Sequence, residues 1–270
     1  MDIIHLAKAA VLGIVEGLTE FLPVSSTGHL ILVGDWLAFD SGAGKVFEVV
    51  IQLGAILAVC WLYRAKIADA VMGVLRRDPA ALSFAGAVLL AFIPSVIFGL
   101  LFLKTIKTVL FSVPVVAVAL VIGGFVILWV EARERPVSTT VPERTTWKQA
   151  LIIGAAQVVS MIPGTSRSGA TIIGGMLGGL SRSAATEFSF FLAIPTMLGA
   201  TVLDLAKNGG GLTTADMVAI AVGFVVSFVS AIVVVKFLIR FVAHHTLRVF
   251  AWYRILFGLV LASFWIAGTL

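Results

Sequence analysis

EGLTEFLPVSSTGH, running from Glu16 to His29, interrupts a lipid-soluble chain with two carboxylates, a proline, a run of three hydroxyl residues, and then a glycine and a histidine. An ionisable group at membrane depth costs roughly 3 kcal/mol on insertion scales, so a cluster of them marks a site. A second polar run, PGTSRSGAT from Pro163 to Thr171, follows about 140 residues later in matching surroundings.

The flanking sequence sets the class. Of 270 residues, 60% are hydrophobic and 12% charged, and the mean hydropathy is +1.12, which excludes an ordinary soluble domain. Apolar runs of spanning length recur at Phe47–Tyr63, Leu82–Leu103, Ser112–Val130, Phe188–Leu205, Met217–Ile239 and Phe250–Leu270. The expectation is an all-α polytopic membrane protein with six transmembrane helices. The net charge of +5 sits in loops between spans and is no nucleic-acid signal. Cys60 is the single cysteine, so no disulfide or thiolate cluster forms within the chain. The first residues lack a basic region and carry Glu16 and Glu20, which argues against a cleavable signal.

Loop charges give an orientation. Arg64, Lys66, Arg76 and Arg77 form one basic loop; Arg133, Arg135, Arg144 and Lys148 a second; Lys236, Arg240 and Arg248 bracket a third. The alternate loops hold only Lys104 and Lys107, and Lys207. The positive-inside rule puts the first set in the cytoplasm and both termini outside. Trp61, Trp129 and Tyr253 read as interface anchors near span ends, and Phe84 as lipid-facing span surface.

The polar segments fit none of the spans. Residues 5–38 hold a helical run, a break at Pro23 and a short second run; residues 148–180 repeat the plan around Pro163–Gly164. Each reads as a re-entrant pair, too short per arm to cross. Irregular backbone at that depth needs surrounding protein or a water-filled cavity. Gly13–Glu16 lines up with Gly154–Gln157, Glu48 with Glu187, and Ser26-Thr27-Gly28 with Ser166-Arg167-Ser168-Gly169 after a one-residue slip. Residues 1–270 therefore form one membrane domain of two repeats, about 1–131 and 148–270. Each is a re-entrant pair and three spans. Three is odd, so the second repeat is inverted, as in secondary transporters.

The two tips carry complementary chemistry. Glu16 and Glu20 share a helix face one turn apart and need a proton or a hard cation such as Mg²⁺ or Ca²⁺ between them. Ser25, Ser26, Thr27 and Gly28 suit a helix N-terminus, which attracts anions. His29 beside them suits general acid/base or nucleophilic work. Arg167, flanked by Thr165, Ser166, Ser168 and Gly169, supplies a permanent cation whose fork matches phosphate oxygens. Carboxylates, oxyanion-binding groups and a hydroxyl or imidazole for attack describe phosphoryl transfer, and the spans make the substrate a lipid.

EGLTEFLPVSSTGH and PGTSRSGAT resemble the two signature motifs of the undecaprenyl-diphosphate phosphatases, the bacterial family also called bacitracin-resistance proteins. The likeness continues through FEVVIQLGAILAV at Phe47–Val59 and EFSFFLAIP at Glu187–Pro195, and so covers nearly the whole chain. It implies hydrolysis of the C55 isoprenyl diphosphate to the monophosphate carrier lipid that peptidoglycan synthesis reuses. It also implies an outward-facing site in the bacterial inner membrane, a divalent cation, bacitracin resistance and interlocked inverted repeats. Position by position, the family's functional residues would be Glu16, Glu20, Ser26, Thr27, His29, Ser166 and Arg167. The expected partners are the lipid substrate and membrane lipid, with a homodimer as a candidate assembly.

The attacking group stays open at this point: Ser26 activated by Glu20 or His29, His29 itself, or metal-bound water. Ser26 is favoured, with Glu16 near the cation and Arg167 on the diphosphate. The unrelated acid-phosphatase superfamily is excluded because Ile173 occupies the place of its histidine. A lipid flippase, or an enzyme that also flips its product, is the alternative that the inverted repeats suggest.

Overall fold

The computed structural model describes residues 3–39, 45–208 and 213–268; the side chains of Lys104, Lys107 and Lys207, which entered the charge count, fall outside the described set. Among the described residues the regular structure is helical, with a single isolated bridge between Thr139 and Leu180. In chain order the helices are α1 (Ile3–Thr19), α2 (Ser26–Trp36), α3 (Lys45–Leu62), α4 (Arg64–Leu75), α5 (Pro79–Thr105), α6 (Val113–Glu131), α7 (Trp147–Val159), α8 (Arg167–Leu177), α9 (Arg182–Asn208), α10 (Thr214–His244) and α11 (Arg248–Ile266).

Five of them, α5, α6, α9, α10 and α11, are long and apolar enough to cross a bilayer. A sixth span exists only if α3 and α4 are counted together, and they meet at 75°. The stretch Arg64–Arg77, expected as a basic loop, is thus mostly the helix α4. Its aliphatic residues hold it in a helix, and the bend at Tyr63 lets Lys66 bond Glu143 at 3.1 Å and Glu187 at 2.9 Å. Lys236 and Arg240 likewise lie within α10, which runs on to His244 rather than ending at Ile239.

The short arms appear where the polar runs placed them. α2 and α8 are each 11 residues, α7 is 13, and α1 is 17, longer than a half-span arm requires. α1 and α2 are separated by Glu20–Ser25, α7 and α8 by Ser160–Ser166. Thr146 and Gln149 form a capping box that fixes the start of α7.

Packing crosses the chain midpoint. α1 lies chiefly on α10 and α7 on α5, while α6 and α11 lie on each other. Small residues make these approaches close. A Cβ at Gly13 would strike the Gly223 carbonyl, one at Gly154 the Ala91 carbonyl and one at Gly258 the Ala117 carbonyl. In lipid, where apolar surface gains little by leaving its surroundings, such backbone approach and internal hydrogen bonds hold helices together. Phe84 faces this interior, not lipid: it is buried edge-on against Phe191 at 5.1 Å and Phe188 at 6.4 Å. At one end of the bundle Glu131 accepts from Arg182 at 2.8 and 2.6 Å and from the Leu247 N–H at 2.9 Å, fastening α6, α9 and α11 together.

Candidate active site

Each tip turns on a serine with positive φ. Ser25 (φ 71°, ψ 99°) precedes α2, and Ser166 (φ 71°, ψ 117°) precedes α8. A non-glycine residue held there costs about 1–3 kcal/mol, which surrounding contacts must offset. Pairing these serines removes the one-residue slip expected from sequence. Ser25-Ser26-Thr27-Gly28 then lies opposite Ser166-Arg167-Ser168-Gly169 without a gap.

The two serines use their hydroxyls differently. Ser166 Oγ accepts from the Gly169 N–H at 3.1 Å and so caps α8. Ser25 makes no capping bond, contrary to its expected role, so the first turn of α2 keeps its N–H groups free of a side-chain cap. The Ser25 carbonyl instead lies 2.7 Å from His29 Nδ1, which must therefore carry the proton and donate. His29 Nε2 is left to accept from the Tyr253 hydroxyl, and the ring stacks on Phe257 at 4.2 Å. Tyr253, read as an interface anchor, is in place a partner of the tip. Both ring nitrogens of His29 are thus engaged elsewhere, and among the described residues no hydrogen bond joins it to Ser26.

Ser26 pairs with a carboxylate. Its Oγ donates to Glu20 Oε2 at 2.7 Å. The other oxygen of Glu20 accepts from Arg167 Nη2 at 3.1 Å, in a pair whose side chains are 5% and 12% exposed, so solvent screens it little. Arg167 Nη1 donates to the Ser189 carbonyl at 3.0 Å and meets its hydroxyl at 3.3 Å, while Nε is buried with no partner. Thr171 Oγ1 lies 2.6 Å from Ser189 Oγ and steadies that contact. A line Ser26–Glu20–Arg167–Ser189 thus joins the tips.

Two further ties bring the tips together. Ser168 Oγ donates to the Leu22 carbonyl at 2.8 Å. Arg254 on α11, 1% exposed and without a carboxylate partner among the described residues, spends every N–H on backbone carbonyls. Nε reaches Leu120 at 3.3 Å; Nη1 reaches Pro23 at 3.2 Å and Thr165 at 2.8 Å; Nη2 reaches Ala119 and Gly164, both at 3.1 Å. One guanidinium therefore holds both tips against α6. Sequence reasoning passed over Arg254, although an arginine inside an apolar span is the same signal that singled out Glu16. Thr165 contributes its carbonyl here. Gly28 faces Val116, Leu120 and Phe257 as a packing position, and half-buried Thr27 joins none of these bonds.

The carboxylate left over is Glu16. It is 1% exposed, neither oxygen meets a hydrogen-bond donor among the described residues, and it lies within electrostatic reach of Glu20, Glu48 and Arg167. An orphaned buried carboxylate is costly unless something positive meets it. Among the described residues no three His, Cys, Asp or Glu side chains converge on one point as a closed metal cage would need. Glu16, with Glu20 beside it, would suit a hard cation such as Mg²⁺ or Ca²⁺. Gln157, at the matching place in the second arm, is by contrast hydrogen-bonded, donating to Ser95 at 2.9 Å.

The profile of the bacitracin resistance protein BacA family matches residues 9–260. The chain belongs to that family. It is 60% identical over 265 residues to undecaprenyl-diphosphatase 2 of Shewanella oneidensis, covering 97% of this chain and 99% of that protein. It is also 60% identical over 261 residues to undecaprenyl-diphosphatase 3 of Acinetobacter baylyi, covering 97% and 98%. A Bordetella parapertussis undecaprenyl-diphosphatase is 56% identical over 281 residues, covering 97% of each. The motifs that carried the resemblance are thus embedded in full-length similarity to proteins bearing that name.

Proposed function

We propose that the protein hydrolyses undecaprenyl diphosphate to the monophosphate and inorganic phosphate, with Ser26 as nucleophile and Glu20 as its base. The observation that carries this reading is the 2.7 Å bond from Ser26 Oγ to Glu20 Oε2 at the uncapped start of a half-helix. The naming of its relatives supports the substrate.

Ser26 Oγ attacks the terminal phosphorus while its proton passes to Glu20, and the bond to the bridging oxygen breaks, releasing the lipid monophosphate. Water then attacks the phosphoserine, returning Ser26 and releasing phosphate. Arg167 holds the terminal phosphate through its unpartnered Nε and the α2 N–H groups hold further oxygens. A phosphate drawn to Arg167 competes with Glu20 for the guanidinium, which frees Glu20 to take the proton. Glu16 with Glu20 would hold Mg²⁺ or Ca²⁺; when bound, that ion neutralises diphosphate charge. His29 and Tyr253 fix the Ser25 turn that aims Ser26.

The finer topology belongs to the same reading. Crossed packing of α1 on α10 and α7 on α5, and the matched serine turns, support interlocked inverted repeats. Loop charge supports both termini outside, with the site open to the periplasmic side of the inner membrane. Recycling of the carrier lipid for peptidoglycan synthesis, and the resistance to bacitracin that follows from it, complete the proposal.

Phosphate release by the purified protein in detergent tests the activity. Stoichiometric, continuing release from undecaprenyl diphosphate is expected. No release, with lipid moving across vesicles that contain the protein, would instead establish a flippase.

A further inference from the structure

The two half-hairpins match in backbone but not in what packs beside them. Setting α2 and α8 in register from Ser26 and Arg167 places His29 opposite Ala170. Setting α6 and α11, both 19 residues, in register places Val118 opposite Tyr253 and Ile122 opposite Phe257. In the first half these positions are an aromatic stack, with His29 on Phe257 at 4.2 Å and on Tyr253 at 5.6 Å. In the second half the counterparts are small or aliphatic. A groove of about 570 Å³ lies there between α6, α7 and α8, within the roughly 300–1,000 Å³ typical of small-molecule sites.

Its chemistry selects an occupant. Of the residues lining the groove only Thr165 and Arg254 have polar side chains, and Arg254 has no donor left to give. Nothing there recognises a charged headgroup. One end of the groove is the second tip itself: Thr165 and Gly169 line it, and Gly169 hydrogen-bonds Ser166, the neighbour of Arg167. Arg167 opens α8, the helix whose Gly169, Ala170, Ile173 and Leu177 line the groove. Along its length Val118, Ile122, Val126 and Leu177 are open to the surroundings of the bundle, so a long chain can leave sideways.

We propose that this groove receives the first isoprene units of the substrate's polyprenyl chain, which rests on the lipid-diphosphate reading above. The aromatic stack seals the corresponding place in the first half and keeps His29 fixed; its absence in the second half makes room for the chain. The groove so becomes the element that selects polyprenyl over short-chain diphosphates.

The double variant Val118→Tyr with Ile122→Phe copies the aromatic pair of α11 into the groove, at two positions 56% and 57% exposed. Its kcat/KM on undecaprenyl diphosphate, divided by that on dimethylallyl diphosphate, should fall about tenfold from the parent ratio, through the long-chain KM. An unchanged ratio in a variant that still turns over both substrates overturns the proposal. Should the variant fail to fold, the parent protein answers with a diazirine-bearing polyprenyl diphosphate probe. Photolabel on α6 and α8 supports the groove, and label confined to other helices overturns it. If the parent releases no phosphate from either substrate, the activity reading fails, while the labelling pattern still decides where the chain lies.

Discussion

Ser26 and Arg167 stand at matching positions of the two half-helices and meet on opposite oxygens of one carboxylate, Glu20. Each tip alone is incomplete. The first has a hydroxyl and a base, the second the cation, and Glu20 couples them. Glu20→Gln removes the base and the charge of the pair together. It should lower kcat by about 10²–10⁴-fold while detergent-solubilised protein elutes and melts like the parent. Activity within tenfold of the parent would remove Glu20 from proton transfer.

Glu16 should behave differently. With no hydrogen-bond donor on either oxygen among the described residues, it is the group a cation would satisfy. Chelation should abolish phosphate release, and titrating Mg²⁺ or Ca²⁺ back should restore it. In Glu16→Gln the cation concentration for half-maximal activity should rise at least tenfold. An unshifted titration would take the cation away from Glu16.

Arg254 is the tie that sequence reading did not find. Arg254→Lys keeps a charge but offers a single donor centre in place of the fork. Each buried carbonyl left without a donor costs about 1–3 kcal/mol, so the thermal midpoint should drop clearly. Gly123→Ala should reproduce part of that loss, because its Cβ would collide with the Arg254 guanidinium. A midpoint within a degree of the parent for both would mean the tips are held by other contacts.

The serine turns give a prediction with opposite signs at one position. Ser25→Gly relieves the positive φ and leaves the Ser25 carbonyl available to His29, so stability should stay level or rise by about 1 kcal/mol. Ser25→Val adds a β-branched side chain where φ is 71° and should destabilise. Equal melting of the two variants would deny that the turn is strained.

What the sequence showed and what it hid divide along a physical line. Polar residues in lipid-soluble surroundings are conspicuous because they are costly, so Glu16, Glu20, Ser26 and Arg167 were found and do converge. Apolar stretches of spanning length placed the long helices for the same reason. Helix direction was less legible: nothing in Cys60–Lys66 announces a 75° bend, since residues on both sides of it favour helix. Phase was hidden too. In a uniformly apolar span, inward and outward faces look alike, so Phe84 was assigned to lipid and Tyr253 to an interface. The pairing of His29 with Tyr253 crosses 224 positions and depends on that phase. Residue type suggests that Ser25 caps, yet its hydroxyl makes no capping bond and its carbonyl takes the His29 N–H, while Ser166 at the same φ does cap its helix.

The central claim is that Ser26, activated by Glu20, takes the phosphoryl group. Acid quenching during turnover of undecaprenyl diphosphate labelled on the terminal phosphate, followed by peptide mass spectrometry, tests it directly. The account predicts an acid-stable, alkali-labile phosphate on Ser26 that Ser26→Ala abolishes along with activity. Acid-labile label on His29, or full turnover with Ser26→Ala, would contradict it.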